Sequence, residues 1–320
     1  MTRQEVCDRL QEAIEPVSPL PRGRLGQLVR RAWGRAITRD FPVLLPVWAA
    51  EAVGGASRLT LDVAAAWCGL YLAAKLLDDL QDGDPSILGS AVSTPSILNT
   101  ATSLVFAAQG CLAGSGADGQ SSTRVSLAAE FYRYSLEVAA GQELGMQPPP
   151  EGEKVLPWAW EVLQKKGARP FALACRAGAI SGGASAEAVE VLTELGQCIG
   201  ETVQLMDDAL GLRARDVGDI RSVALPLAYG LSVGNEEEVQ SLTSLAAAAG
   251  NGDSEAAESL CLLLEGMGAM RYLSIRASAG ALRARSLLSS SVLLSSSPGV
   301  RALAGVLDRL DPAGGDTLCA

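Results

Sequence analysis

The 320 residues carry 48% hydrophobic side chains, enough for a sizeable core, and 26 basic against 36 acidic residues, a net charge of −10 that opposes general binding to nucleic acid or anionic membranes unless Lys and Arg gather on one face. There is no histidine, which excludes Ser-His-Asp and Cys-His catalysis, histidine general bases and HExxH zinc sites; carboxylates, cations and bound metals must carry any chemistry. The seven cysteines (Cys7, Cys68, Cys111, Cys175, Cys198, Cys261 and Cys319) are widely spaced with no CxxC pair, predicting buried, reduced thiols rather than disulfides or a zinc ribbon.

Residues 1–8 lack the apolar core of a signal segment, and no stretch of about 18 uncharged apolar residues in a row follows, so the chain reads as cytoplasmic without stable membrane insertion. Alanine and leucine dominate, and apolar residues recur at three and four, the period of helices. The fold class expected is all-α. Helices are predicted at about 3–14, 23–39, 42–53, 60–82, 95–113, 121–144, 153–166, 168–181, 185–211, 222–232, 235–249, 253–292 with a break, and 298–310. Gly- and Pro-rich punctuation falls at 83–95, 114–122, 146–152 and 250–253, and none of it resembles an interdomain linker. The expectation is a single helical domain over 1–320, with a helical N-terminal segment at 1–40 and a flexible tail at 311–320. No motif recurs at a fixed spacing, which favours a packed bundle over a solenoid.

Asp78, Asp79 and Asp82 close the predicted 60–82 helix. Asp78 and Asp82 stand four apart on one face, and the carbonyl end of the helix dipole adds negative charge, so the cluster repels itself unless a hard cation offsets it. Gln204, Asp207 and Asp208 repeat the arrangement near the end of a second helix. Gly196, Gly200 and Gln204 lead up to them at four-residue steps, placing small side chains below a polar rim.

Leu76-Leu-Asp-Asp-Leu-Gln-Asp82 resembles the first aspartate-rich motif, DDxxD, of the trans-prenyl diphosphate synthases and their isoprenoid-synthase relatives. Gly141-Gln142 is similar to their GQ element, Lys166-Gly-Ala with Phe171 to KTxxLF, and Gly196 through Gln204 to Asp207-Asp208 to GxxxGxxxQxxDD. Asp219-Ile220 with Leu225-Pro226-Leu-Ala-Tyr229 resembles the segment that follows. Five elements in order over roughly residues 55–235 make the resemblance specific. It implies a helical bundle around a central cavity, in which two acidic helices face each other and hold three Mg2+ ions that clamp an allylic diphosphate. It assigns Asp78, Asp82 and Asp207 as metal ligands, with Asp79 and Asp208 as further catalytic carboxylates. Lys166, Gln142 and Gln204 would bind diphosphate. Arg213, Arg215 or Arg221 would replace the cation that the family places beyond its second motif, where Gly211 stands for the third aspartate. The resemblance also implies a homodimer.

The substrate's chain should lie along the helix beneath the first motif, past Ala74, Leu70 or Tyr71, and Trp67, with Phe171 as a further aromatic wall. Tyr71 takes the place of a histidine common in relatives. Small Ala73 and Ala74 leave the upper pocket open, which favours a C15 or C20 substrate over C10. Two family elements are missing: the N-terminal GKRxRP segment, where this chain reads Thr38-Arg-Asp-Phe-Pro-Val-Leu-Leu-Pro46, and the arginine pair after DDxxD, where it reads Gly83-Asp-Pro-Ser-Ile87. Both bind isopentenyl diphosphate. The first expectation is therefore a terpene synthase that ionises one prenyl diphosphate to a hydrocarbon or alcohol. The alternatives are a prenyltransferase, elongating with isopentenyl diphosphate through other cations or prenylating another acceptor, and a non-catalytic regulatory subunit.

Overall fold

The computed structural model describes residues 1–310 apart from 20, 115–119, 151 and 215–223. Among the described residues the regular structure is entirely helical, as the periodicity predicts, with fourteen α-helices and no strand. The chain divides into two compact units, each assembled from three segments. The predicted tail at 311–320 lies outside the described residues.

The first unit comprises Met1–Arg133, Ala172–Thr193 and Leu288–Leu303. Its centre is α4 (Arg58–Asp82), packed by α1 (Arg3–Ile14), α2 (Arg24–Ala36), α3 (Leu45–Glu51) and α5 (Thr94–Ala113). Ser57 and Thr60 form a reciprocal cap that fixes where α4 begins, and Gly83, at φ 76°, ends it in the left-handed conformation that favours glycine. Between these stops, Leu59, Val63 to Cys68, Leu72 and Leu76 are buried, so α4 is held by apolar contact on nearly all sides. Gly69 is where α1 and α5 close in: a Cβ there would stand 3.2 Å from the Leu104 carbonyl and 3.3 Å from Leu10.

One polar cluster is built into this core. Asp62 accepts from Arg9 Nε at 2.6 Å and from Arg124 Nη2 at 2.7 Å, while Arg124 Nη1 donates to the Leu112 carbonyl at 2.9 Å near the end of α5. The buried carboxylate is thus paired twice, as burial requires.

The second unit comprises Tyr134–Phe171, Glu194–Leu287 and Ala304–Ala320. Helices α6 (Ser121–Met146), α8 (Arg169–Ser181), α9 (Ala186–Ala214), α13 (Ala269–Leu288) and α14 (Pro298–Arg309) contribute segments to it, and α7 (Val155–Val162), α10 (Ala224–Val233), α11 (Glu236–Gly250) and α12 (Ser254–Gly266) lie wholly within it. One core gathers Leu212, Leu242, Leu260 and Leu264; another gathers Val155, Leu163, Leu205, Leu225 and Leu273.

One detail departs from the sequence reading, and two others are located by the structure. The stretch expected as helix 153–166 is α7 followed by a π-helical turn, Leu163–Ala168, which carries Lys165 and Lys166. The break inside 253–292 falls at Met267 and Gly268, where Gly268 takes φ 89°. Two helices, α4 and α5, are long and apolar enough on average to cross a membrane by length and composition, with 72% and 44% of their most apolar windows buried within the protein; charged residues interrupt α4 and polar ones α5, so neither is an unbroken apolar run.

The six described cysteines are free and buried. Burial pushes the Cys175 thiol up to about 12 and Cys7, Cys111 and Cys198 up to about 11, so these side chains behave as core hydrophobes rather than nucleophiles.

Candidate functional site

In the first unit the acidic motif occupies the last turn of α4, and its three carboxylates have different surroundings. Asp79 is buried: Lys75 Nζ lies 2.8 Å from Oδ1, and the Ile87 backbone N–H donates to Oδ2 at 3.0 Å. The Asp84 N–H also returns to the Asp79 carbonyl at 2.8 Å. Asp79 therefore ties residues 83–88 back onto the helix. Asp78 and Asp82 are partly exposed on the neighbouring face. Below them along that face, Ala74 is exposed, Tyr71 is partly buried, and Trp67 is buried with its ring stacked on Tyr71 at 5.1 Å between centroids. The face predicted to line the prenyl chain thus grades from open at Ala74 to closed at Trp67 over about two turns.

Cations reach the loop after the motif from α2. Arg35 Nη1 donates to the Ile87 carbonyl at 3.1 Å. A Cβ placed on Gly89, itself at φ 84°, would meet Arg35 Nη1 at 2.8 Å and Arg31 Nη2 at 3.1 Å, so both guanidiniums lie against this backbone. Ile87 links the two sets, donating to Asp79 and accepting from Arg35. Sequence reasoning did not find Arg31 and Arg35: they sit some fifty positions before the loop and match no motif.

In the second unit Asp207 is exposed and Asp208 buried at the end of α9. Gln204 Nε2 donates to Asp208 Oδ1 at 3.0 Å. Gln204 itself packs under the π-helical turn, where a Cβ on Gly167 would stand 3.0 Å from its Oε1. The small residues of the predicted rim permit this closeness. A Cβ on Gly200 would stand 2.7 Å from the Ala168 Cα and 2.9 Å from the buried Phe171 ring, and one on Gly141 would stand 2.5 Å from Lys165 Cβ and 2.7 Å from the Lys166 nitrogen. The GQ, KTxxLF-like and second acidic elements, far apart in sequence, are therefore packed on one another. Lys165 is engaged with Glu161 at 2.6 Å; Lys166 and Gln142 are partly buried. Arg213 is exposed, and Arg215, Asp219, Ile220 and Arg221 lie outside the described residues.

Aromatic side chains form a ladder in this unit, of which the matched motifs include Tyr229 alone. Tyr229 stacks on Tyr272 at 4.5 Å between centroids, Trp160 donates to the Tyr272 hydroxyl at 2.7 Å, and the Arg276 guanidinium lies over the Trp160 ring at 4.2 Å. Among the phenylalanines of the first unit, Phe131 is buried and Phe106 is mostly exposed.

Burial pushes the Asp208 carboxyl up from 3.8 to about 7, the charge of Asp207 adds to the shift, and hydrogen bonds from Gln204 and the Leu225 backbone oppose it. With the folded value raised, the unfolded chain ionises first, so the contribution of this group to stability is greatest below about pH 4 and is lost as pH rises through about 7. Asp208→Asn, which cannot ionise, is expected to leave stability at about pH 4 nearly unchanged and to raise it at about pH 8 by up to roughly 4 kcal/mol. Thermal melts of both proteins across this range, without divalent ions, test it; parallel curves would show that Asp208 ionises freely.

The residue types fit a hard cation. Asp78 and Asp82 in the first unit, and Asp207 in the second, carry carboxylate oxygens of the kind that hard cations take. Among the described residues, however, no group of three or more acidic or cysteine side chains could hold an ion by itself, so a cation here would draw further oxygens from a substrate or water.

Comparison with known proteins agrees with this architecture. The polyprenyl synthetase family matches residues 44–251. The chain is similar to a short chain isoprenyl diphosphate synthase of Methanothermobacter thermautotrophicus, 25% identical over 232 residues that cover 71% of this chain and 68% of that protein. Its fold is similar to that of a polyprenyl synthetase from Streptomyces coelicolor A3(2), with a TM-score of 0.79 and 18% identity over 96% of this chain and 97% of the other. A decaprenyl diphosphate synthase from Rhodobacter capsulatus matches with a TM-score of 0.80 and 19% identity, covering 96% and 94%. The fold is thus the all-α isoprenoid-synthase fold, and with the family match spanning more than half its length, this chain belongs to the polyprenyl synthetase family.

Proposed function

We propose that this chain is a prenyltransferase that ionises an allylic prenyl diphosphate of C15 or C20 and joins the prenyl group to isopentenyl diphosphate. The observation that carries the choice is the placement of Arg31 and Arg35 against the loop after the first acidic motif. The case for a terpene synthase rested on the absence of cations for a second diphosphate. Two guanidiniums from α2 answer it, since a planar fork suits phosphate oxygens. The family match and the name of the similar M. thermautotrophicus protein also favour transfer over cyclisation.

In this reading Asp78 and Asp82 in the first unit, and Asp207 in the second, offer oxygens to Mg2+. Bound Mg2+ would neutralise the charge that gathers on the departing diphosphate as the allylic carbon–oxygen bond breaks. Lys166, on the π-helical turn, contributes a fixed positive charge to diphosphate oxygens. Gln204 orients Asp208. Tyr71 and Trp67 present apolar ring surface to the prenyl chain, excluding water that would quench the cation.

Purified protein incubated with C10, C15 or C20 diphosphate and Mg2+, with and without isopentenyl diphosphate, is expected to yield a longer diphosphate only when both are present. Replacing Arg31 or Arg35 by Ala should raise the KM for isopentenyl diphosphate about tenfold or more, with a smaller effect on the allylic partner. A hydrocarbon or alcohol formed from the allylic diphosphate alone would restore the cyclising reading. Failure of any diphosphate to turn over would favour a regulatory subunit.

We extend the proposal to a homodimer. Helix α5 carries no charged residue, and Leu98 and Phe106 on it, with Val125 and Tyr132 on α6, are exposed in the first unit. A neutral apolar face suits a second copy of a chain whose charge of −10 otherwise repels itself. Light scattering at micromolar concentration should give twice the monomer mass, and Phe106→Glu should reduce it to the monomer's.

A further inference from the structure

We infer that α13 carries a docking face for an anionic lipid surface. The chain is acidic overall, with a net charge of −10, yet α13 contains Arg271, Arg276, Arg283 and Arg285 and no acidic residue. Its solvent face has a definite pattern. Ile275, Ala279 and Leu282 follow one another at four and three residues, forming one exposed apolar row, and Ile275 and Leu282 keep 61% and 68% of their surface in solvent. Arg271 opens the row one turn before Ile275. Arg276 and Arg283, seven apart, run beside it one position on.

The two flanking guanidiniums are held at the surface by neighbours rather than left to drift. Arg276 lies over the Trp160 ring at 4.2 Å, and Arg283 Nη2 lies 2.7 Å from Glu194; both residues are exposed. Arg285 belongs elsewhere, since it reaches Asp308 at 2.8 Å. An aliphatic row bordered by arginines is the arrangement that inserts shallowly among acyl chains while the guanidiniums stay with phosphate headgroups. Each arginine near an anionic leaflet adds attraction that salt weakens. A protein partner fits less well: the row offers no exposed Trp or Tyr, the side chains that usually anchor such contacts together with arginine. The inference does not depend on the reaction assigned above.

Co-sedimentation of the full chain with phosphatidylcholine vesicles, with and without phosphatidylglycerol, tests it. Binding is expected only to the vesicles containing phosphatidylglycerol, and is expected to fall at least tenfold as salt rises from about 50 to about 500 mM. Ile275→Ser with Leu282→Ser, and separately Arg271→Glu, should each weaken binding several-fold while melting temperature and turnover of soluble substrate stay unchanged. These residues are exposed, so the fold does not rest on them. No pelleting with anionic vesicles, equal pelleting with pure phosphatidylcholine, or full binding by the variants would each overturn the proposal. So would capture by a polyglutamate resin in the absence of vesicle binding, which would assign the face to an acidic protein.

Discussion

Asp78→Ala and Asp207→Ala are each expected to lower Mg2+-dependent release of inorganic diphosphate from an allylic prenyl diphosphate by about a thousandfold or more, with little change in melting temperature. Both side chains are at least partly exposed, so neither substitution should open a hole in a core. Asp79→Ala should behave in the opposite sense. That carboxylate is buried and holds Lys75 and the Ile87 amide, so its loss strands a buried donor and frees the loop from α4. Lys75 is 45% exposed, which discounts the ion pair, and the expected cost is about 1–3 kcal/mol of stability. Activity should fall with it only as far as the loop and its arginines are displaced. Diphosphate release and thermal melts on the three variants separate the roles; full activity of Asp78→Ala in chelator would falsify the metal reading.

The difference between Asp79 and its neighbours marks where legibility in the sequence ends. Helix existence was readable throughout, because helical periodicity and capping signals are local: Ser57, Thr60 and Gly83 define α4 without reference to anything else. The acidic motifs were readable for the same reason. Which carboxylate faces solvent was not, because it depends on where residues 84–88 fold. Lys75 could have been paired with Asp79 from its four-residue spacing alone. Arg31 and Arg35 could not have been found so, because only the packing of α2 brings them to Ile87 and Gly89. Two cations therefore stand at this loop through a tertiary contact that no motif announces. The buried triad of Arg9, Asp62 and Arg124 was invisible likewise, since its members come from three helices.

Gly141→Ala is expected to cost about 1–3 kcal/mol of stability and to reduce turnover about tenfold or more, although the residue itself bears no chemical group. A Cβ at this position would stand 2.5 Å from Lys165 Cβ, 2.7 Å from the Lys166 nitrogen and 2.9 Å from the Lys165 carbonyl carbon. Two of these are backbone atoms, which cannot rotate away as a side chain can, so the π-helical turn itself must move. That turn is the support of Lys166 and lies over Gln204, which in turn orients Asp208. One methyl group should therefore disturb three elements of the proposed diphosphate site together. Gly110→Ala in α5 is the matched control, because a Cβ there meets nothing within 4 Å. In a helix interior with open space, alanine should stabilise by about 0.5–1 kcal/mol with turnover unchanged. The pair isolates close approach from glycine's intrinsic helix penalty, since both sites are helical and only one is crowded. If Gly141→Ala matched Gly110→Ala in both melting temperature and rate, α6 would not press on the π-helical turn, and Lys166 would lose its claim to a preorganised place in the site.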